Sequence, residues 1–126
     1  MRILSSVSST GALIFVNGGD VVVNGMTVGQ GSGAIQTNTA IGNGALSSNT
    51  TGYLNTANGY QALYSNTTGY ANTANGLAAL SSNTTGSRNT ANGNDALLSN
   101  TTGFFNTANG YASLSANTTG NSNTAN

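Results

Sequence analysis

The sequence predicts an all-β fold: a repetitive β-solenoid, or β-roll, of 17-residue coils with a small β element at its N-terminus. Three observations predict it. From Asn38 to Asn126 one 17-residue unit is written five times, followed by the first four residues of a sixth. The copies begin at Asn38, Asn55, Asn72, Asn89, Asn106 and Asn123, with the consensus N-T-A-x-G-x-x-A-L-x-S-N-T-T-G-x-x. A fixed period of this length is the signature of a stacked repeat architecture. The composition is rich in Asn, Thr, Ser and Gly. It lacks the charge and proline of a disordered chain, with 3% charged residues and no Pro. Finally, no apolar residues recur at helical spacing, whereas each unit carries two glycines that suit corners.

Taken in order, residues 1–36 read as a β-hairpin element and a Gly-rich connection, and residues 37–126 as the repeats. Residues 1–11 are Ser-rich and indistinct. The apolar runs Ala12–Val16 and Val21–Val23 flank Asn17-Gly18-Gly19-Asp20, a hairpin signal. A second Asn-Gly, at 24–25, precedes Met26-Thr27-Val28, a candidate third strand. This element is placed to cap the first coil or to join chains at the upstream end. Gly29 to Gln36 reads as a flexible connection.

Within each repeat, N-T-A-x and A-L-x-S-N-T-T read as two extended segments between two Gly corners. Stacked coils would bring identical residues about 4.8 Å apart. The leucines Leu46, Leu63, Leu80, Leu97 and Leu114 share one phase, and no other large apolar residue does. They are expected to point inward as a ladder. One Leu and two small alanines make a thin core for 17 ordered residues. A core shared among chains about a cyclic axis is therefore expected, giving a parallel homotrimeric fibre.

Few residues here can do chemistry. The charges are Arg2, Arg88, Asp20 and Asp95, summing to zero, and there is no His, Cys, Lys or Glu. No catalytic, cofactor or metal residue is predicted, because acid–base work and calcium sites need titratable groups in reach. The lone Gly29-x-Gly31 precedes no helix or phosphate-loop lysine. A neutral chain offers no electrostatic attraction to nucleic acid or anionic lipid. No run approaches the roughly 20 apolar residues of a spanning helix, and residues 1–6 lack the apolar core of a signal peptide. The chain stops inside a repeat at Asn126, so the natural protein is expected to continue.

Three sets of residues are candidates for function. Asn49, Asn66, Asn83, Asn100 and Asn117 each open an N-T-T triplet that fits the glycosylation acceptor pattern. The competing reading is an Asn bonded to backbone beside a Gly corner. Tyr53, Tyr70 and Phe104 occupy one variable slot, Tyr60 and Tyr111 another, and Tyr64 a third. Such aromatics suit either surface binding of sugars or the seams between coils and chains. The threonine arrays do not suit an ice-binding plane, because Thr50 and Thr51 are adjacent and face opposite ways.

Thr37-Asn38-Thr39-Ala40-Ile41-Gly42 resembles the N-[ST]-[AV]-[IV]-G motif in head repeats of trimeric autotransporter adhesins. The unit with A-L-x-S-N-T-T-G, and the lead-in from Val22 to Ala34, resemble bacteriophage tail-fibre repeats and the segment that introduces them. The resemblance covers about residues 20–126. It implies parallel homotrimers of left-handed β-roll coils, with a receptor-binding or chaperone region further along the chain. The family places Ile or Val where Ile41 stands, but later copies carry Asn58, Asn75, Asn92 and Asn109. Those asparagines are either Asn-Gly turns or an axial ladder. The expected role is a structural shaft segment of an extracellular or virion fibre, with the chain itself as partner. The alternative is an adhesin head presenting aromatics to host-surface glycans or a receptor.

Overall fold

The structure, a computed structural model, describes the backbone at residues 4–8, 11–15 and 20–126 and side chains from residue 20 onward except Val23. It is all-β, with no helix among the described residues. Strands β1 (Leu4–Ser8) and β2 (Gly11–Phe15) form an antiparallel pair. The second sheet has eight strands in the order β10-β9-β8-β7-β6-β5-β4-β3. Its members are β3 (Val21–Val23), β4 (Met26–Gly29), β5 (Thr39–Gly42), β6 (Thr56–Asn58), β7 (Thr73–Asn75), β8 (Thr90–Asn92), β9 (Thr107–Asn109) and β10 (Thr124–Ala125).

From β5 onward the sheet is parallel and in strict 17-residue register: Thr56 faces Thr73, Ala57 faces Ala74 and Asn58 faces Asn75. The chain is thus a β-solenoid of five coils, each contributing one short strand to one face. Period two in N-T-A-N turns Ala inward and leaves Thr and Asn outward.

The rest of each coil departs from expectation. A-L-x-S-N-T-T is not a strand but a chain of turns. Three residues per coil adopt the left-handed conformation, for example Gln61 (φ 55°), Leu63 (φ 51°) and Ala71 (φ 54°). The turns keep local bonds such as Tyr64 N–H to Gln61 carbonyl (3.3 Å), and the remaining backbone groups pair with the neighbouring coils. Leu63 N–H donates to Ala79 carbonyl, while Ala71 N–H donates back to Tyr53 carbonyl.

The core lies inside one chain. Leu46, Leu63, Leu80 and Leu97 are all 0% exposed, surrounded by Ala40, Ala57, Ala74, Ala91 and Ala108 and by Ala45, Ala62, Ala79 and Ala96. Leu114 packs against the cluster but is half-buried, covered from one side in the last full coil. A core shared among chains is therefore not needed to bury this ladder. Asparagines complete the interior and supply what the thin apolar core lacks.

The N-terminal element pairs differently from the sequence reading. Val21–Val23 pairs with Met26–Gly29 across Asn24-Gly25, where both residues have positive φ (49° and 83°), as a tight hairpin of this kind demands. Ala12–Phe15 pairs with Leu4–Ser8 in the Ser-rich region, not with Val21–Val23. The Asn17-Gly18-Gly19 signal lies outside the described residues. Strand β4 lies antiparallel on β5, so this hairpin caps the first coil. Gly29 to Gln36 is no loose connection either. Ser32 N–H donates to Leu46 carbonyl (3.0 Å), covering the first leucine of the ladder. Asp20 holds this layer in place by accepting from Gln30 N–H and from Gly31 N–H (2.9 Å).

Candidate functional site

The N-T-T asparagines are structural. Asn66 Nδ2 donates to Asn49 Oδ1 of the preceding coil (2.9 Å) and to Gly69 carbonyl of its own coil (3.0 Å). Asn83 and Asn100 repeat both bonds. Asn49, Asn66, Asn83 and Asn100 are 0–1% exposed. Glycosylation at these four is therefore corrected: the nitrogen that would carry the sugar is enclosed, and both its protons are used. Asn117, half-buried in the last full coil, makes the same bonds. The opening asparagines form a second buried ladder. Asn72 N–H donates to Asn55 Oδ1 (3.0 Å), and Asn72 Nδ2 donates to Gly86 carbonyl (2.8 Å).

The sequence left Asn58, Asn75, Asn92 and Asn109 open between turn and ladder. Asn75, Asn92 and Asn109 form a ladder, but on the outer face of the sheet, with Asn58 in register beside Asn75. Asn75 Nδ2 donates to Asn92 Oδ1, and Asn92 Nδ2 to Asn109 Oδ1, each at 2.9 Å. The N-T-T threonines are also committed to stacking. Thr67, Thr68 and Gly69 all point their N–H at one oxygen, the carbonyl of Thr84, and Thr67 Oγ1 adds a fourth bond. Successive N–H groups converging on one acceptor form a nest, here filled by the next coil's carbonyl.

The exposed aromatics include the features that the sequence singled out as surface. Tyr53, Tyr60, Tyr64, Phe104 and Tyr111 are exposed, Tyr111 at 77%; Tyr70 is half-buried. Slots repeating every coil should stack rings directly, and one pair does: Tyr53 and Tyr70 lie 5.0 Å apart and 5° from parallel. The next member of that slot is Ser87, and the one after it Phe104. The row therefore lacks one ring.

A cleft of about 320 Å³ opens at that gap. Tyr70 and Phe104 stand on either side, with Ser87 between them and the hydroxyl-bearing Thr85 and Thr102 beside it. Ser87 is held from below, accepting from Tyr70 N–H (3.1 Å) and donating to Thr85 carbonyl (3.2 Å). The neighbouring slot supplies Arg88 and Phe105, both with φ 57°. The Arg88 guanidinium carbon lies 5.3 Å from the Tyr70 ring centre and 5.2 Å from that of Phe105. Phe105 in turn meets Phe104 edge to face at 5.6 Å.

Sequence reading found Tyr70 and Phe104 but missed Ser87, Arg88 and Phe105. The available signal was a small residue interrupting an aromatic slot, next to a cation in the following slot. Among the described residues no group of acidic, His or Cys side chains could hold a metal ion. Comparison with known protein families, with curated proteins and with solved structures gives no match.

Proposed function

We propose that this chain is a structural shaft segment of an extracellular or virion fibre, in the manner of tail-fibre repeats. The observation that carries this reading is the recurrence of one set of coil-to-coil hydrogen bonds every 17 residues. A repeat that contacts only its neighbours sets length in proportion to copy number, which suits a rod. Nearly every conserved-phase polar group is spent on stacking, and little is left for chemistry.

Homotrimer assembly belongs to the same proposal, with a changed basis. Since each chain encloses its own leucines, association falls to the exposed apolar rows. Tyr53 with Leu54, and Phe104 with Phe105, are about half exposed. Such rows are what a seam between parallel rods would cover. Light scattering coupled to gel filtration tests this: a mass of three chains is expected, and a stable monomer overturns the trimer. Electron microscopy should show unbranched rods.

A second reading, an adhesin head, draws on Tyr60 and Tyr111, exposed rings in a slot away from the cleft. Glycan-array binding lost in Tyr60→Ala and Tyr111→Ala would favour it; binding unchanged by both would return the chain to the shaft reading.

A further inference from the structure

We infer that the cleft at the gap in the aromatic row is a ligand site for an acidic sugar: one pyranose ring packed against Phe104, its carboxylate on Arg88. This site lies within one chain and does not rest on the shaft reading. Rings one coil apart in this slot are 5.0 Å apart, as Tyr53 and Tyr70 show. Tyr70 and Phe104 are two coils apart, so the slot between them is about two strand spacings wide, roughly 9.6 Å. The Arg88 guanidinium, 5.3 Å from the Tyr70 ring centre, covers the Tyr70 side of that width, so a bound ring packs against Phe104 and meets the guanidinium at its edge.

The cleft volume, about 320 Å³, lies at the small end of ligand pockets. Its walls are mixed in a way that selects the ligand. Aromatic faces take the C–H face of a sugar ring, while Thr85 and Thr102 offer hydroxyls to the ring's own hydroxyls. A bare aryl ring would offer the Thr85 and Thr102 hydroxyls no partner.

Charge decides the rest. Arg88 is the single cation in the coils, and it stands over the cleft. Both side-chain carboxylates are engaged elsewhere: Asp20 by the backbone of Gln30 and Gly31, and Asp95 with Asn94 Nδ2 (3.1 Å). The guanidinium rests against two rings and keeps N–H donors for an anion. A planar fork of this kind pairs with a carboxylate through two parallel hydrogen bonds.

The test titrates the full chain with a short oligogalacturonate, its neutral methyl ester and benzoate, followed by NMR. Saturable binding of the acid is expected, with the ester at least about tenfold weaker, equivalent to about 1.4 kcal/mol. Arg88→Gln should lose the same factor for the acid and little for the ester. Ser87→Tyr fills the gap in the row with a ring and should abolish binding, with circular dichroism checking that the fold is kept. Arg88→Gln keeps the proposal testable should Ser87→Tyr misfold. Four results would overturn it: no saturable binding, ester and acid bound alike, a folded Ser87→Tyr that still binds, or benzoate bound as tightly as the sugar acid.

Discussion

The two halves of each coil solve the same stacking problem by opposite means. The strand half, Asn55 to Gly59 in the second coil, uses ordinary extended backbone with a small residue turned inward. The turn half, Tyr60 to Ala71, places three residues at positive φ and binds the next coil through converging N–H groups and buried asparagines. The strand half repeats N-T-A-N-G almost unchanged, while the variable slots of the coil lie in the turn half, between the recurring Leu and Asn-Thr-Thr-Gly positions that bind the next coil.

The largest expected effect contrasts glycines. A Cβ added to Gly86 would fall on Asn83 Oδ1 and on the carbonyl oxygen of Gly103. Neither can retreat, as both belong to the stacked interior. Gly86→Ala should cost more than about 3 kcal/mol in a denaturant titration. At Gly44 the added Cβ meets only the side chains of Tyr64 (3.2 Å) and Gln61 (3.4 Å), so Gly44→Ala should cost about 1 kcal/mol, from its φ of 74°. Both lie in the turn half, so equal losses would show that contact with the stacked interior is not what decides the cost.

Next come the two interior ladders. Leu80→Ala should cost about 2–5 kcal/mol, since the site is fully enclosed and the coils cannot collapse around it. Asn83→Ala removes donors to Asn66 Oδ1 and Gly86 carbonyl, and should cost about 2–3 kcal/mol through oxygens left unpaired in the interior. The outer ladder sharpens the contrast. Asn92 makes a similar amide bond, but with solvent beside it, so Asn92→Ala should cost about 1 kcal/mol or less. If Asn83 and Asn92 prove equal, burial is not what gives the inner ladder its value.

These contrasts also show what was legible beforehand. The period gave coil number, register and the inward phase of the leucines, because only Leu46 and its equivalents are large, apolar and invariant. The corner at Gly42 was readable too: that slot has φ between 121° and 144°, which only glycine adopts easily. The second glycine slot was misread as a corner. Gly52 and its equivalents have no positive φ; they are glycine because a Cβ would strike the asparagine ladder. The clash is with the Asn three residues earlier as well as with the neighbouring coil's carbonyl, and it exists only once that Asn side chain is turned inward by stacking. Leucine at φ near 51° was equally hidden, since nothing in its chemistry favours a left-handed backbone. Of the cleft, only the aromatic slots were visible; its opening depends on Ser87 interrupting a stack that exists only once the coils are aligned.

The left-handed residues allow the finest test, and the only one that should stabilise. A non-glycine residue in this conformation is strained by about 1–2 kcal/mol, and glycine is nearly free of that strain. Glycine gives back about 0.5–1 kcal/mol through its freer unfolded chain. Ala71 sits at φ 54°, is half-buried, and donates its N–H to Tyr53 carbonyl at 2.9 Å, a bond that glycine would keep. Its methyl is absent from the buried core cluster. Ala71→Gly should therefore raise stability by about 0.5 kcal/mol. In the strand half the same exchange, Ala74→Gly, removes an enclosed methyl from extended backbone and should lower it by more than 1 kcal/mol or so. Opposite signs for one chemical change, three residues apart, would follow only from a coil built of a relaxed half and a strained half. The same sign at both sites would mean that the left-handed turns carry no strain.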